Sequence, residues 1–211
     1  MGFLSLKMLV FKKIYIRFSS KSSLLMITLK PKKGHLLIAE PSIIGDVSFN
    51  RSVILLADYT EEGAIGFILN KPLEYTLNDL VPLTEAKFKV YNGGPVEQDN
   101  LYFIHKIPDL IPESIEISLG IYWGGDFDIA IELINEGQIT ESEIRFFLGY
   151  SGWEPKQLEK ELQSNSWIVT VNVYKSDLIN KSEDTFWKEK MMELGGDYSI
   201  WSNAPENPSY N

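Results

Sequence analysis

The chain contains no cysteine and only two histidines, His35 and His105. It therefore has no route to a disulfide, a thiolate metal site, an iron–sulfur cluster or a cysteine nucleophile. The stretch closest to a nucleophile motif is Gly149-Tyr150-Ser151-Gly152-Trp153. A serine elbow needs glycine two residues before and two after the serine to relieve crowding at a sharp turn, and here Trp153 takes the second place. A triad would also need His105 or His35 as its base. The structural reading of the same residues is that Gly149 and Gly152 let Trp153 pack at a strand-to-helix corner.

Asn92-Gly93-Gly94-Pro95 is a glycine turn whose amides could cradle an anion, although it matches neither a P-loop nor a dinucleotide fingerprint. Its plainer reading is a tight turn stiffened by Pro95. Arg51-Ser52 stands immediately before an apolar run, where Arg51 could hold a carboxylate or phosphate bidentately or pair with one of the 29 acidic residues. The histidines are far apart and belong to no HxxxH, HExxH or calcium-loop pattern, so neither a metal nor a cofactor is expected. Glu61-Glu62 and Glu159-Lys160-Glu161 read as solvated faces, and spacing alone selects no carboxylate pair for acid–base work.

The elements that would position these groups begin with His35 to Ala39, a short apolar strand stopped by Pro41. Residues 52–57 and 64–70 read as an antiparallel hairpin whose loop is closed by Gly63, with Pro72 ending the second strand. Short strands are expected over 87–91, 101–105, 115–118 and 121–123. Phe127, Ala130, Ile131 and Ile134 then take up helical spacing between a capping Asp126 and a terminating Gly137. Thr140 and Glu143 could form a capping box, but the aromatic run 145–150 that follows reads as a strand. A short helix opens at Pro155, 167–174 alternates as a strand, and 184–194 carries Trp187, Met191 and Leu194 at helical spacing. With no repeat and no internal linker, residues 26–201 should form one mixed α+β domain.

Length and composition agree, since 211 residues with 44% hydrophobic and 23% charged side chains suit one folded domain with extensions. No stretch approaches the ~18 uninterrupted apolar residues of a membrane span. Five basic residues and no acid fall within residues 1–25, leaving 15 basic against 29 acidic groups, a charge of −14, on the rest. Such a body repels phosphate backbones, so direct nucleic-acid binding is not expected. The leader lacks the apolar core of a secretory signal and reads as an upstream start extension, with Met26 a second plausible start, or as an unstructured segment. A cytoplasmic location follows, and 202–211, with Pro205 and Pro208, should run as an irregular arm.

Six segments taken in order resemble the YqgE/AlgH family: GHLLIAEP (34–41), FNRSVILL (49–56), GAIGFILNKPL (63–73), NGGPV (92–96), FLGYSGWEPKQLEKEL (147–162) and NSW (165–167). The resemblance runs from about Gly34 to the C-terminus. It implies an α+β fold with a mixed, split sheet curled into a pseudo-barrel and flanked by helices. It implies little chemistry, because the family's biochemical function is uncertain; one branch bears a transcriptional-regulator label without a recognised DNA-binding motif. Members often have alanine at the position of Ser151, and many have a Cys-x-His-like pair where this chain has Ala57, Asp58 and Tyr59. Both departures favour a noncatalytic role.

Three functions follow as expectations. The first is a cytosolic ligand- or protein-binding regulatory module whose groove uses Arg51, Ser52, Asn70, Asn92, Gly93, Gly94 and Trp153. A hydrolase or transferase acting on a phosphorylated or nucleotide-like compound would need Arg51 and the Gly93 and Gly94 amides in one cleft. The third, a transcriptional regulator, would act indirectly, for neither a basic face nor a helix-turn-helix is visible.

Overall fold

The computed structural model describes residues 29–43 and 48–204. The expectations for the leader and for positions 205–211 of the terminal arm fall outside the described residues. The chain forms β1 (Leu36–Ala39), β2 (Val53–Thr60), β3 (Gly63–Ile68), β4 (Pro72–Thr76), α1 (Leu77–Leu80), β5 (Lys89–Asn92) and β6 (Val96–His105). It continues through β7 (Ile115–Ser118), β8 (Ile121–Trp123), α2 (Phe127–Asn135), β9 (Ile144–Trp153), α3 (Gln157–Gln163) and β10 (Trp167–Thr170). A 3-10 turn (Lys175–Asn180), α4 (Phe186–Leu194) and α5 (Tyr198–Trp201) complete it.

All ten strands belong to one mixed sheet in the order β10-β1-β2-β3-β9-β6-β8-β7, with β4 and β5 off that path. β5 runs parallel to β9, and the other pairings are antiparallel. No pairing joins β7 to β10 among the described residues. The expected mixed α+β sheet with flanking helices is present, branched and not closed into a barrel among the described residues.

The branch lies on β9. Its first half, Ile144 to Leu148, pairs with β6 on one side while Phe146 to Leu148 pair with β5, and Ser151 to Trp153 pair with β3. Gly149 makes the change of partner at φ +67, where a Cβ would stand 2.6 Å from the Val96 carbonyl oxygen, so a side chain cannot be placed there without moving backbone. Adjacent residues bury on opposite faces: Phe147 joins one apolar cluster and Phe146 another, just as Leu36 and Leu37 divide in β1. A sheet covered on both faces requires continuous apolar strands, which is how β1 and β2 read in the sequence.

Phe67 stacks on Phe147 with ring centroids 5.0 Å apart, both fully buried. Each such burial contributes about 1.5–3 kcal/mol, more than an exposed ion pair at about 1 kcal/mol or less. The aromatic seam under β3 and β9 thus matters more to the fold than the surface pairs.

Local signals explain most elements. Asp126 Oδ1 accepts from the Ile129 amide at 3.1 Å, capping α2, which buries Ala130, Ile131 and Ile134. The Thr140 amide donates to Glu143 Oε2 at 3.0 Å, one half of a capping box, while the Glu143 amide turns to the Thr140 carbonyl, and the chain passes directly into β9, because residues 144–147 are all buried in the sheet. Pro72 starts β4, its ring tolerated as a first strand residue. β10 stops at Thr170 and is followed by the 3-10 turn, so the expected strand to Tyr174 is shortened.

Candidate functional site

Asn50, Arg51 and Ser52 form the turn into β2, and Arg51 adopts φ +55, a left-handed conformation costing a non-glycine residue about 1–2 kcal/mol. Asn70, just beyond β3, holds that turn. Its Nδ2 donates to the Arg51 carbonyl at 2.9 Å, and its Oδ1 accepts from the Val53 amide at 2.8 Å. Ser52 between them is fully buried, and its Oγ has no hydrogen-bond partner among the described residues.

The Arg51 guanidinium is fixed from two directions. Its Nη2 donates to the Ala204 carbonyl at 2.9 Å, and its Cζ lies 5.0 Å from the centroid of the Trp187 ring. Trp187 is itself anchored by its indole N–H to the Ala39 carbonyl at 2.9 Å. Arg51 and Trp187 line a groove of about 240 Å³ together with Asn70, Lys71, Pro72, Glu183, Asp184 and Lys188.

A second groove, of about 450 Å³, shares Glu183 and Asp184 with the first and contains Arg145, Tyr91, Lys89 and Lys181. Arg145 is 7% exposed, donates to the Leu69 carbonyl at 2.7 Å and the Lys181 carbonyl at 3.0 Å, and lies 4.4 Å over the Tyr91 ring. Burial lowers its pKa, against the raising influence of Tyr91, Glu183 and Glu141. Burial would raise the Glu183 carboxyl, but hydrogen bonding to Lys89 and the nearby Lys89 and Arg145 charges hold it below the usual carboxylate range. The two grooves meet at Glu183 and Asp184, and the 181–188 segment contributes to both linings.

Of the expected site residues, Arg51 and Asn70 line the first groove, while Ser52 is fully buried in the turn between them and lines neither groove. Nor do Asn92, Gly93 and Gly94 line either. The Gly93 amide donates to the Leu148 carbonyl at 2.8 Å and the Gly94 amide to Asn92 Oδ1 at 3.0 Å. Both N–H groups are engaged, that of Gly93 across to β9 and that of Gly94 within its own turn, so the Gly-Gly pair serves close packing against β9 instead of the expected anion cradle. At Gly94, φ +150, a Cβ would fall 2.3 Å from the Tyr150 carbonyl carbon. Trp153 lines a third, separate groove.

Ser151 lies within β9 and is fully buried, donating to the Gly93 carbonyl at 3.0 Å; no hydrogen bond joins it to a histidine among the described residues. His105 meets a different serine. The Ile107 amide donates to His105 Nδ1 at 3.2 Å, which places the ring proton on Nε2, facing Ser114 Oγ at 3.0 Å and the Gly124 carbonyl at 3.2 Å. Ser114 Oγ donates onward to the Ile111 carbonyl at 2.6 Å. The histidine is the donor in this pair, the reverse of a general base, and burial pushes its pKa down to about 4. No cluster of three or more potential metal ligands occurs among the described residues. Nor is any of their helices long and apolar enough to cross a membrane.

Sequence reasoning missed Arg145, Tyr91, Glu183 and the role of Trp187. Arg145 did leave a signal: it is the single charge in the apolar run 144–148, and a charge in a buried strand needs partners.

Residues 36–199 match the pattern of the AlgH-like family. A UPF0301 protein of Bacteroides fragilis is 43% identical over 187 residues, covering 86% of this chain and 92% of that protein. One from Chlorobium limicola is 38% identical, covering 86% and 97%. The solution structure of the AlgH protein from Pseudomonas aeruginosa superposes with a TM-score of 0.65 at 26% identity, over 89% of this chain and 98% of that one. A crystal structure of a Corynebacterium diphtheriae protein shares the fold, with a TM-score of 0.66 at 21% identity over 85% and 95%. With this extent of match, the chain belongs to the YqgE/AlgH (UPF0301) family.

Proposed function

We propose that the protein is a noncatalytic, cytosolic binding module of regulatory type whose ligand is a small anion, a carboxylate or phosphate compound, received in the Arg51 groove. The observation that carries this reading is the preorganised guanidinium, held by Ala204 and the Trp187 face at the groove wall before any ligand arrives. Arginine presents a planar set of donors suited to such oxygens. A volume of 240 Å³ lies below the roughly 300–1,000 Å³ of drug-sized ligand sites, so the ligand is a compact metabolite rather than a dinucleotide. Glu183 and Asp184 in the same lining select against compounds carrying more negative charge than Arg51 can receive.

A phosphoryl-processing enzyme needs Arg51 and the Gly93 and Gly94 amides to converge, and those amides are engaged at Leu148 and Asn92. Any influence on transcription is indirect in this reading, given the charge of −14 outside the leader. The test is a thermal-shift screen of small carboxylates, phosphates and nucleotides on the full chain and on Arg51→Lys. A true ligand at a hundredfold its Kd adds about 2.7 kcal/mol, or roughly 5–10 °C in Tm, and loses most of that shift in the variant. Equal shifts in both proteins, or turnover of the ligand, would remove the proposal.

A further inference from the structure

The largest of these grooves, about 600 Å³, lies at the end of the β2–β3 hairpin and is lined by Asp58, Glu62, Ile65, Tyr150, Trp153 and Glu154. It differs from the Arg51 groove in charge, since no lysine or arginine lines it. The three chain segments that build it, residues 58–65, 96–100 and 150–157, carry six carboxylates against one lysine. Its floor is apolar and aromatic. Tyr150 stands edge-on to Tyr102 with centroids 5.7 Å apart, and Trp153 is fixed by its indole N–H to Glu161 at 2.8 Å. Gly152 keeps the floor open: a Cβ there would meet the Tyr150 ring at 3.1 Å.

We propose that this groove docks a basic segment of a partner protein, an extended stretch with arginine or lysine side chains alternating with apolar ones. Long basic side chains lay their aliphatic stems on apolar surface while the charged head seeks carboxylates and aromatic faces. A lining that combines Ile65, Tyr150 and Trp153 with Asp58, Glu62 and Glu154 offers both environments. The half-buried Asp58 and the exposed Glu62 and Glu154 receive the charged heads, and Tyr150 the stem. The acidic groove on α2, with Asp128 and Glu132, has apolar neighbours Leu83 and Ile131 but no aromatic ring in its lining, which makes it the natural internal control.

The test uses fluorescence anisotropy with a fluorescein-labelled arginine–leucine peptide and its uncharged counterpart in which citrulline replaces arginine. Titrations are made with the full chain, with Glu62→Gln/Glu154→Gln and with the control Asp128→Asn/Glu132→Gln. All four substituted side chains are exposed, and circular dichroism melting confirms that each variant folds. The expected result is binding of the arginine peptide that weakens about fivefold or more in the first variant and less than twofold in the control, with no binding of the citrulline peptide. Tyr150→Ala should weaken it further at unchanged charge. Equal loss in both carboxylate variants would assign the binding to the acidic body as a whole and overturn the proposal. So would retention by the citrulline peptide, or failure of the arginine peptide to bind.

Discussion

Asn70 grips the backbone on either side of Ser52, donating to the Arg51 carbonyl and accepting from the Val53 amide, so the left-handed turn at Arg51 is set by one amide side chain 19 residues away. The hairpin of β2 and β3 brings the two together, since Ile54 pairs with Ile68 at its base. The geometry of the Arg51 turn is thereby tied to the register of the β2–β3 hairpin.

Asn70→Ala should cost about 2 kcal/mol, because two backbone groups lose their partner at a partly buried site. For a chain of this size that is a fall of roughly 4–8 °C in Tm. Asn70→Asp keeps the acceptor for Val53 and should lie between. A loss below about 0.5 kcal/mol in the alanine variant, measured by urea unfolding, would show that the turn holds itself.

Ser151→Ala should change stability by no more than about 1.5 kcal/mol, the net value of the bond to the Gly93 carbonyl, and should leave binding in the Arg51 groove unchanged. Loss of a measured activity in a variant that melts normally would revive the nucleophile reading of this serine.

His105 makes stability depend on pH in a defined direction. Its folded pKa of about 4 lies below the unfolded value near 6.5, so the unfolded chain binds more protons between them. Its contribution is therefore fully present above about pH 6.5 and is lost as pH falls toward 4. Urea midpoints measured at pH 7.5 and 5 should drop for the native sequence and drop less for His105→Asn. Identical drops would assign the effect elsewhere.

Glu161 accepts from the indole N–H groups of both Trp153 and Trp167 through one oxygen, at 2.8 Å each, and takes Gln157 on the other at 2.9 Å. Glu161→Gln should destabilise by about 1–3 kcal/mol, since charge-assisted acceptance is lost and an amide nitrogen can accept nothing. Tryptophan emission should shift on that substitution; an unchanged spectrum and melt would mean that the two rings are held by packing alone.

Much of the fold was legible because burial and periodicity are local. The cap at Asp126, the β2–β3 pairing and the strand at 145–150 follow from residues close in sequence. The site was legible only in part. Arg51 announces itself as a charge beside an apolar run, but its ring partner Trp187 and its carbonyl partner Ala204 are more than 130 residues away, and no spacing rule links them. Gly93 and Gly94 misled for a physical reason: glycine serves equally where an anion approaches backbone and where another strand does. Here the neighbour is β9, with a Gly93 Cβ placed 2.1 Å from the Gly149 oxygen.

The branch at β9 also bears on how the molecule comes apart. One strand supplies hydrogen bonds to β3, β5 and β6, so neither wing of the sheet retains a complete edge once it is withdrawn. Amide protons of residues 144–148 should accordingly exchange only through whole-molecule opening, at the slowest rates in the chain, and the two wings should melt in a single transition rather than as separable units.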